Sequence, residues 1–373
     1  MGRAAAINNM DRQEIRGYDA VRNAAKDFET YSSDLLGDRD VRTYRQLPLE
    51  ADPPRHTGFR SAVQPLFLSA AIEPKVAKFE ALAKKLFEEL DKNGGGDITS
   101  NIALPFVIGC LTIIYNRPQD YEEWLAWGPD VWTAESHSTG ASEHRRDGAT
   151  LQAYLDRVFD AAIANVVTDP DKQDVWDVVS QLVVEDEPVN RDEMQGIANV
   201  LLAGGRDTVI KLLTGLSWHL ISNPDDREFL AKNPDWFNRT IAEMVRFLSP
   251  LPKMERVLEA NRTASDQDRD PNNYVLLSFV SANHDKTIWP DAERIDIHRE
   301  RKPHLAFGFG RHSCMGMNIT EHEAGAFLRV LLNNWPNWIF DGEPEIEWST
   351  AKDANGDEIK FIDRFKSLKV KIA

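Results

Sequence analysis

Along most of this chain apolar residues recur at three- and four-residue spacing, the period of an amphipathic helix. The pattern is clear over 18–31 (YDAVRNAAKDFETY), from Pro74 to Asp91, from Leu151 to Val167, and over 169–183 (DPDKQDVWDVVSQLV). The stretch 103–115 (ALPFVIGCLTIIY) is almost uniformly apolar and predicts a buried helix with Cys110 as a packing residue. The longest helical pattern runs from Asn190 to Pro224. Asn190 with Glu193 three residues on is a capping box, and Asn223-Pro224 is a stop signal. A helix from Arg191 to Ser222 would be roughly 48 Å long and would cross the whole core. Its middle reads Ala203-Gly204-Gly205-Arg206-Asp207-Thr208, and two adjacent glycines cost about 2 kcal/mol of helix propensity. The break predicts close helix packing or a local groove where a large group approaches the backbone. A further helix is expected over 235–250. Beyond it, 273–283 (NYVLLSFVSAN) reads as a strand and the last thirty residues as strands and turns. The expected fold class is mainly α with small β-sheets, in one unit spanning 1–373.

Composition narrows the function classes. The chain has 373 residues, 42% hydrophobic and 28% charged, and a net charge of −16. Such a surface repels phosphate backbones, so nucleic acid is not an expected partner. No run of eighteen apolar residues predicts a membrane span, and the N-terminus carries no signal-peptide pattern. A cytoplasmic protein is expected.

Candidate chemistry centres on the second of two cysteines. Residues 307–318 read FGFGRHSCMGMN, with a helical pattern beginning at Asn318. Cys314 therefore sits where a glycine-rich loop feeds a helix N-terminus, a place that favours a thiolate. A thiolate there is a nucleophile or a metal ligand. His312, two residues away in a tight loop, is poorly placed to activate a nucleophile. Zinc would need more Cys or His at metal spacing. A single axial thiolate to heme iron needs one Cys and slim neighbours.

The segment His304–Gly316, HLAFGFGRHSCMG, resembles the heme-binding loop of the cytochrome P450 family. Three further segments agree in order. Ala203 to Thr208 resembles the oxygen-binding kink of the family's long central helix. Glu243-Met244-Val245-Arg246 resembles its Glu-x-x-Arg pair. Residues 52–60 (DPPRHTGFR) resemble the Asp-Pro-Pro-x-His-x-x-x-Arg segment of its bacterial, ferredoxin-dependent members. The resemblance runs from about residue 15 to the end and implies the triangular helical prism with a long central helix over heme b. It also implies a shortened N-terminus, since the family usually has a helix and strands before the segment that Glu14 to Ser33 resembles. The glycine-bearing hairpin that family members often carry after Arg256 is not matched by 263–274 (TASDQDRDPNNY).

The resemblance assigns roles. Cys314 is the fifth iron ligand, whose thiolate donates electron density. Phe307 stacks beside the sulfur, Gly310 and Gly316 let backbone N–H groups reach it, and Gly308, Ala203 and Gly204 are also heme-binding positions. His56, Arg60, Arg256 and His312 hold the two propionates. Asp207 and Thr208 are the acid–alcohol pair: Thr208 holds a water or peroxide and Asp207, expected deep in the core helix, relays protons from solvent. Glu243, Arg246 and Arg299 form a structural ion network. The pocket ceiling includes Val200, and Leu251, Lys253 and Met254 line another wall. Trp124, Trp127 and Trp132 belong to the expected lid region, where packing on the core is one reading. A substrate with a flat face and polar groups, a methoxy-aromatic or methylated sugar, is the other.

The reaction expected is insertion of one oxygen atom from O2 into a small organic substrate, with hydroxylation or oxidative O-demethylation as outcomes. No flavin, P-loop or iron–sulfur motif is present in the sequence, so electrons are expected from a separate ferredoxin and its NAD(P)H-dependent reductase. Arg55, Arg301, Lys302 and Arg311 are candidates for a basic docking face. A peroxide-dependent peroxygenase or decarboxylase, a silent heme-binding partner protein, and a heme-free cysteine enzyme are the competing readings.

Overall fold

The computed structural model describes residues 13–35, 45–127, 148–262, 270–335 and 337–372. Helices dominate. The elements that position the site are β1 (Gln13–Ile15), α1 (Tyr18–Ala24), β2 (Tyr31–Ser32), α2 (Arg55–Val63), α3 (Val76–Lys92) and α4 (Leu104–Ile114). They continue with α5 (Arg191–Ala203), α6 (Asp207–Ser222), α7 (Phe237–Leu248), β3 (Lys253–Leu258), β4 (Tyr274–Ser278), α8 (Phe279–Asn283) and α9 (Met317–Asn334). The apolar spacing explains the packing. In α3 the buried residues are Phe79, Ala83, Leu86, Phe87 and Leu90, one stripe at helical period, and Phe87 meets Phe327 of α9 at 5.4 Å between ring centroids. Helix α4 is buried on all sides, Cys110 included, as its uniform apolarity requires. One hydrophobic cluster runs from Leu47 to Val370. Among the described residues no helix is long and apolar enough to cross a membrane.

The helix expected from Arg191 to Ser222, with its weak point at Gly204-Gly205, is two helices. The Asn190–Glu193 capping box forms as the sequence predicts. The interruption falls on Gly204, Gly205 and Arg206, where helical propensity is weakest. The Leu201 carbonyl at this break accepts a hydrogen bond from the Tyr115 hydroxyl at 2.7 Å. A buried carbonyl without a partner is costly, so this bond helps the break persist.

Four strands form one sheet in the order β1-β4-β3-β2, with β1 parallel to β4 and the other pairs antiparallel. Arg256 on β3 pairs in register with Val275 on β4. The strand expected over 273–283 ends at Ser278, whose hydroxyl caps α8, so its second half is helical. Other boundaries also contract. The pattern at 18–31 yields a helix only to Ala24, and that at 169–183 only Val175–Ser180, started by an Asp174–Asp177 capping box. The C-terminal strands are as expected, with an antiparallel hairpin of Glu345–Lys352 and Glu358–Ser367. After Arg256, the glycine-free connection is closed by side chains. Asn261 donates to the Asp270 carbonyl at 2.7 Å and accepts from its N–H at 2.8 Å. Residues 263–269 of this connection lie outside the described residues.

Candidate active site

The loop before α9 is held open by its own backbone. Gly308 and Gly310 have φ of +67° and +74°, and a Cβ on Gly310 would lie 3.0 Å from the Ala25 carbonyl oxygen. The left-handed conformation and the close approach to the end of α1 both require glycine there. The Cys314 N–H donates to the Phe307 carbonyl at 2.7 Å, which folds the cysteine back under the phenyl-bearing residue. A Cβ on Gly316 would stand 3.6 Å from the Cys314 sulfur, in ordinary contact with it. The top of the loop is fixed to α8, because the Leu305 N–H donates to the Asn283 side chain at 2.7 Å.

Cys314 has exposed surface, yet burial is the largest influence on its thiol and pushes it up. Protein packed around the sulfur disfavours its charged form even though the residue is open at the surface. The backbone N–H groups of Gly316 and Met317 and the Arg60 charge act in the opposite direction, favouring the thiolate.

Beside this loop four basic side chains converge from three elements. His56 and Arg60 lie one turn apart on α2, Arg256 comes from β3, and His312 from the loop itself. The His56 and His312 rings are 4.2 Å apart. His56 is buried with neither ring nitrogen hydrogen-bonded, and His312 Nε2 is also without a partner. Burial, then the Arg60 and Arg311 charges, push His56 down to about 4. Burial, then Arg256 and His56, push His312 down to about 2. Arg256 is buried and pushed down to about 10, and Asp52 partly offsets that burial. Buried polar atoms in native proteins have partners, so a cluster of unpartnered imidazole nitrogens among guanidinium groups is a cradle for an anion.

Across the fold, Val200, Ala203, Gly204 and Thr208 lie at the break between α5 and α6, partly or fully exposed. The Thr208 hydroxyl lies 3.4 Å from the Gly204 carbonyl. Asp207 departs from expectation. It is not deep in the core: its side chain is 58% exposed and pairs with the buried guanidinium of Arg206. The sequence reading gave Arg206 no role, although an arginine inside a core-crossing helix was a visible anomaly. Glu323 of α9 was also missed. It is fully buried with neither carboxylate oxygen hydrogen-bonded, and burial pushes it well above the usual carboxylate range. Nothing in the sequence separates it from an ordinary helix surface glutamate.

The ion network forms as read. Glu243 accepts from Arg246 Nε and Nη2, both at 2.8 Å, and from Arg299 Nε at 3.1 Å. His284 packs beside it, near the Arg246, Glu293 and Lys211 charges. Burial and then Arg246 push His284 down to about 4 from an ordinary 6.5. A depressed imidazole is neutral in the fold but takes a proton in the unfolded chain. Its contribution is therefore present above pH 6.5 and is lost as pH falls toward about 4. His304, also depressed to about 4 by burial, adds in the same direction. The melting temperature is expected to fall across this window, and by less in His284→Gln, as calorimetry at stepped pH would read.

The expected pocket wall is only partly supported. Lys253 is exposed, and its ammonium stands 3.8 Å from Glu14, so it belongs to the outer surface of the sheet. Leu251 and Met254 are half-buried against a small cluster with Val21, Leu277 and Leu305. Trp124 and Trp127 are buried among Tyr115, Tyr154 and Trp176, which is the packing reading; Trp132 lies outside the described residues. Of the proposed basic face, Arg55 pairs with Glu193 at 2.7 Å and Arg301 lies 3.9 Å from Glu321. Lys302 donates to the Ile288 carbonyl, and Arg311 lies over the Phe28 ring. Arg22 and Lys26, at i and i+4, both approach the Phe309 ring and extend this face. Their helical spacing in 18–31 was the available signal.

The sequence model described as Cytochrome P450 matches residues 235–338, the span holding both the Glu243–Arg246 pair and the Cys314 loop. A steroid C26-monooxygenase of Mycobacterium tuberculosis is 28% identical over 323 residues, covering 86% of each chain. The chain belongs to the cytochrome P450 family. The cytochrome P450 monooxygenase PikC of Streptomyces venezuelae is 26% identical over 349 residues, covering 90% of this chain and 80% of PikC. Among solved structures, one described as a carbohydrate active P450 superposes with a TM-score of 0.82 at 25% identity, covering 97% of this chain and 93% of that one. This P450 is a monooxygenase, and membership implies heme and O2. The residues present fit heme: a thiol beside slim neighbours, and a cradle that brings two arginines and the unpartnered nitrogens of His56 and His312 Nε2 together, the right charge for two carboxylates.

Proposed function

We propose that this P450 inserts one oxygen atom into a methyl ether, a methylated sugar before a methoxy-aromatic, and so removes the methyl group. The supporting observation is the likeness to the carbohydrate active P450 over nearly the whole length of both chains. In balanced form, an ether R–O–CH3, O2, two electrons and two protons give R–O–CH2OH and water. The hemiacetal then breaks its R–O–CH2 bond to leave R–OH and formaldehyde. Heme, when bound, supplies the oxygen activation and insertion.

The chain's own residues do the rest. Cys314 would hold the heme iron through its sulfur, with the Gly316 and Met317 N–H groups and Arg60 steadying its negative charge. Phe307 and Gly308 shape the loop around that sulfur. His56, Arg60, Arg256 and His312 would hold the two propionates, which would also satisfy the imidazole nitrogens. Ala203 and Gly204 keep the break slim, with Val200 on the ceiling beside them. Thr208 holds a water through its hydroxyl, and Asp207, open to solvent, takes protons in and passes them to that water. All of this belongs to one heme domain over 1–373. We further propose that it is cytoplasmic, and that a separate ferredoxin with an NAD(P)H-dependent reductase brings the electrons. The ferredoxin would dock on the basic face of Arg22, Lys26 and Arg311 beside the Cys314 loop.

The test supplies O-methylated monosaccharides and methoxybenzoates with a ferredoxin, its reductase and NADH, and measures formaldehyde. One formaldehyde per NADH consumed is expected with a sugar ether. Hydroxylated product without formaldehyde, from either class, would remove the demethylation reading.

A further inference from the structure

One turn into α6 a lysine is sealed in the protein. Asp207 is exposed and Thr208 half-buried at the start of this helix, and Lys211 follows them at four and three residues, on the same face. From Lys211 to Ser217 every residue of the helix is buried. Lys211 is 7% exposed, and among the described residues its ammonium makes no hydrogen bond, although it carries three N–H donors. Its surroundings come from two other elements. Nζ lies 5.9 Å from the ring centroid of Phe361, a buried residue on the strand Glu358–Ser367 of the C-terminal hairpin. Asp363 of the same strand attracts the ammonium without hydrogen bonding to it. His284 of α8 feels its charge and, as a neutral imidazole, offers no counter-charge. Asp207, the acid one turn back on its own helix, pairs with Arg206 instead.

We propose that Lys211 receives a carboxylate of the substrate, so that the ethers this P450 oxidises are acids, O-methylated uronic acids or methoxybenzoates. A buried ammonium with nothing to accept its N–H groups is costly. A bound carboxylate supplies both the missing acceptors and the missing charge. One cation beside an aromatic ring suits a single negative charge, whereas a phosphate dianion would need further donors. The placement also fits the chemistry. Thr208 precedes Lys211 by three residues, about 4.5 Å along the helix axis, the span of one six-membered ring. An acid anchored at Lys211 therefore carries its far side back to Thr208. The inference rests on the demethylation reading for which bond is oxidised, while the acid group is assigned by Lys211 alone.

The test is titration calorimetry on the heme-loaded protein with two matched pairs of ligands: para-methoxybenzoate with its amide, and an O-methylated glucuronate with the same ether of glucose. Burial pushes Lys211 down to about 8, and Asp363 partly offsets it. Near pH 8 the free protein is therefore half-protonated there, and an acid that pairs with the ammonium should draw about half a proton from the buffer. That uptake is read as a binding enthalpy that changes with the ionisation enthalpy of the buffer. The neutral member of each pair should show none, and acid affinity should fall as pH rises above about 8. At pH 7 the acid of at least one pair is expected to bind about tenfold more tightly than its neutral counterpart. Lys211→Met should lose both the preference and the proton uptake while binding the neutral ligand as the parent does. The variant removes a buried charge, so its melting temperature should hold or rise; the uptake on the parent is read without it. Absence of proton uptake with both acids overturns the proposal, and so does an acid preference that survives in Lys211→Met. The pair that shows the uptake tells a sugar acid from an aromatic one. Lys211-dependent uptake without formaldehyde in turnover would remove the demethylation reading and leave this inference standing. Formaldehyde from neutral sugar ethers, with no uptake from either acid, would do the reverse.

Discussion

Replacing Cys314 with serine is expected to abolish monooxygenation while leaving the fold in place. The hydroxyl fits where the thiol was, since Gly316 leaves space at the sulfur and no backbone bond of the loop passes through the side chain. The Cys314 N–H still closes on the Phe307 carbonyl, and Gly308 and Gly310 keep their left-handed turns. What is lost is a soft, electron-rich axial donor, the property that distinguishes a thiolate-ligated heme in its oxygen chemistry. The His56, Arg60, Arg256 and His312 cradle is untouched, so heme should still be retained in a substantial fraction of molecules. The reduced carbon monoxide complex of the parent protein should absorb at the red-shifted position of a thiolate-bound heme, and that of Cys314→Ser should not. Turnover should fall by about a thousandfold or more, equivalent to about 4 kcal/mol of barrier. A serine variant that keeps both the red-shifted band and its turnover would remove Cys314 from the site.

How far the sequence alone reached depended on whether a feature is local. The Cys314 loop was legible because its glycines, histidine and cysteine are neighbours in sequence, and their spacing carries the resemblance to a heme-binding loop. The Asn190–Glu193 cap and the Glu243–Arg246 pair were legible for the same reason, each lying within one helical turn. The helix break was half legible. Two glycines forecast weakness at 204–205, but the Tyr115 hydroxyl that satisfies the freed Leu201 carbonyl comes from another helix. Burial was not legible for charged residues. Asp207 was expected inside and is exposed, while the adjacent Arg206 is inside. Glu323 and Lys253 make the same point in opposite directions, one a glutamate sealed in the core and the other a pocket candidate standing on the surface beside Glu14. Helical period gives the face of a residue only to within a turn, and where two glycines interrupt the helix that phase is lost.

Arg246→Met is expected to cost the protein its heme by destabilising the approach to the Cys314 loop, without touching any residue of the cradle. Arg246 is 1% exposed and makes five hydrogen bonds: two to Glu243 and one each to the Asn283, Ala292 and Arg294 carbonyls. It therefore fastens α7 to the irregular segment that follows α8. Methionine fills the stem volume but strands the Asn283 and Ala292 carbonyls, leaves the Arg294 carbonyl to Arg299 Nη2 alone, and leaves the Glu243 carboxylate with Arg299 and the Asp296 N–H. Breaking a buried pair from one side typically costs about 3–5 kcal/mol, a large part of the 5–15 kcal/mol that holds most domains together. The strain reaches the site by a short path. Asn283 gives its carbonyl to Arg246 and its side-chain oxygen to the Leu305 N–H, the start of the cysteine loop. Arg299→Met should be milder, because its guanidinium is partly solvated and Arg246 still neutralises Glu243. The ordering to look for in heme content per protein, and in melting temperature, is parent, then Arg299→Met, then Arg246→Met. If Arg246→Met binds heme as fully as the parent, the network does not support the loop, and the coupling through Asn283 is wrong.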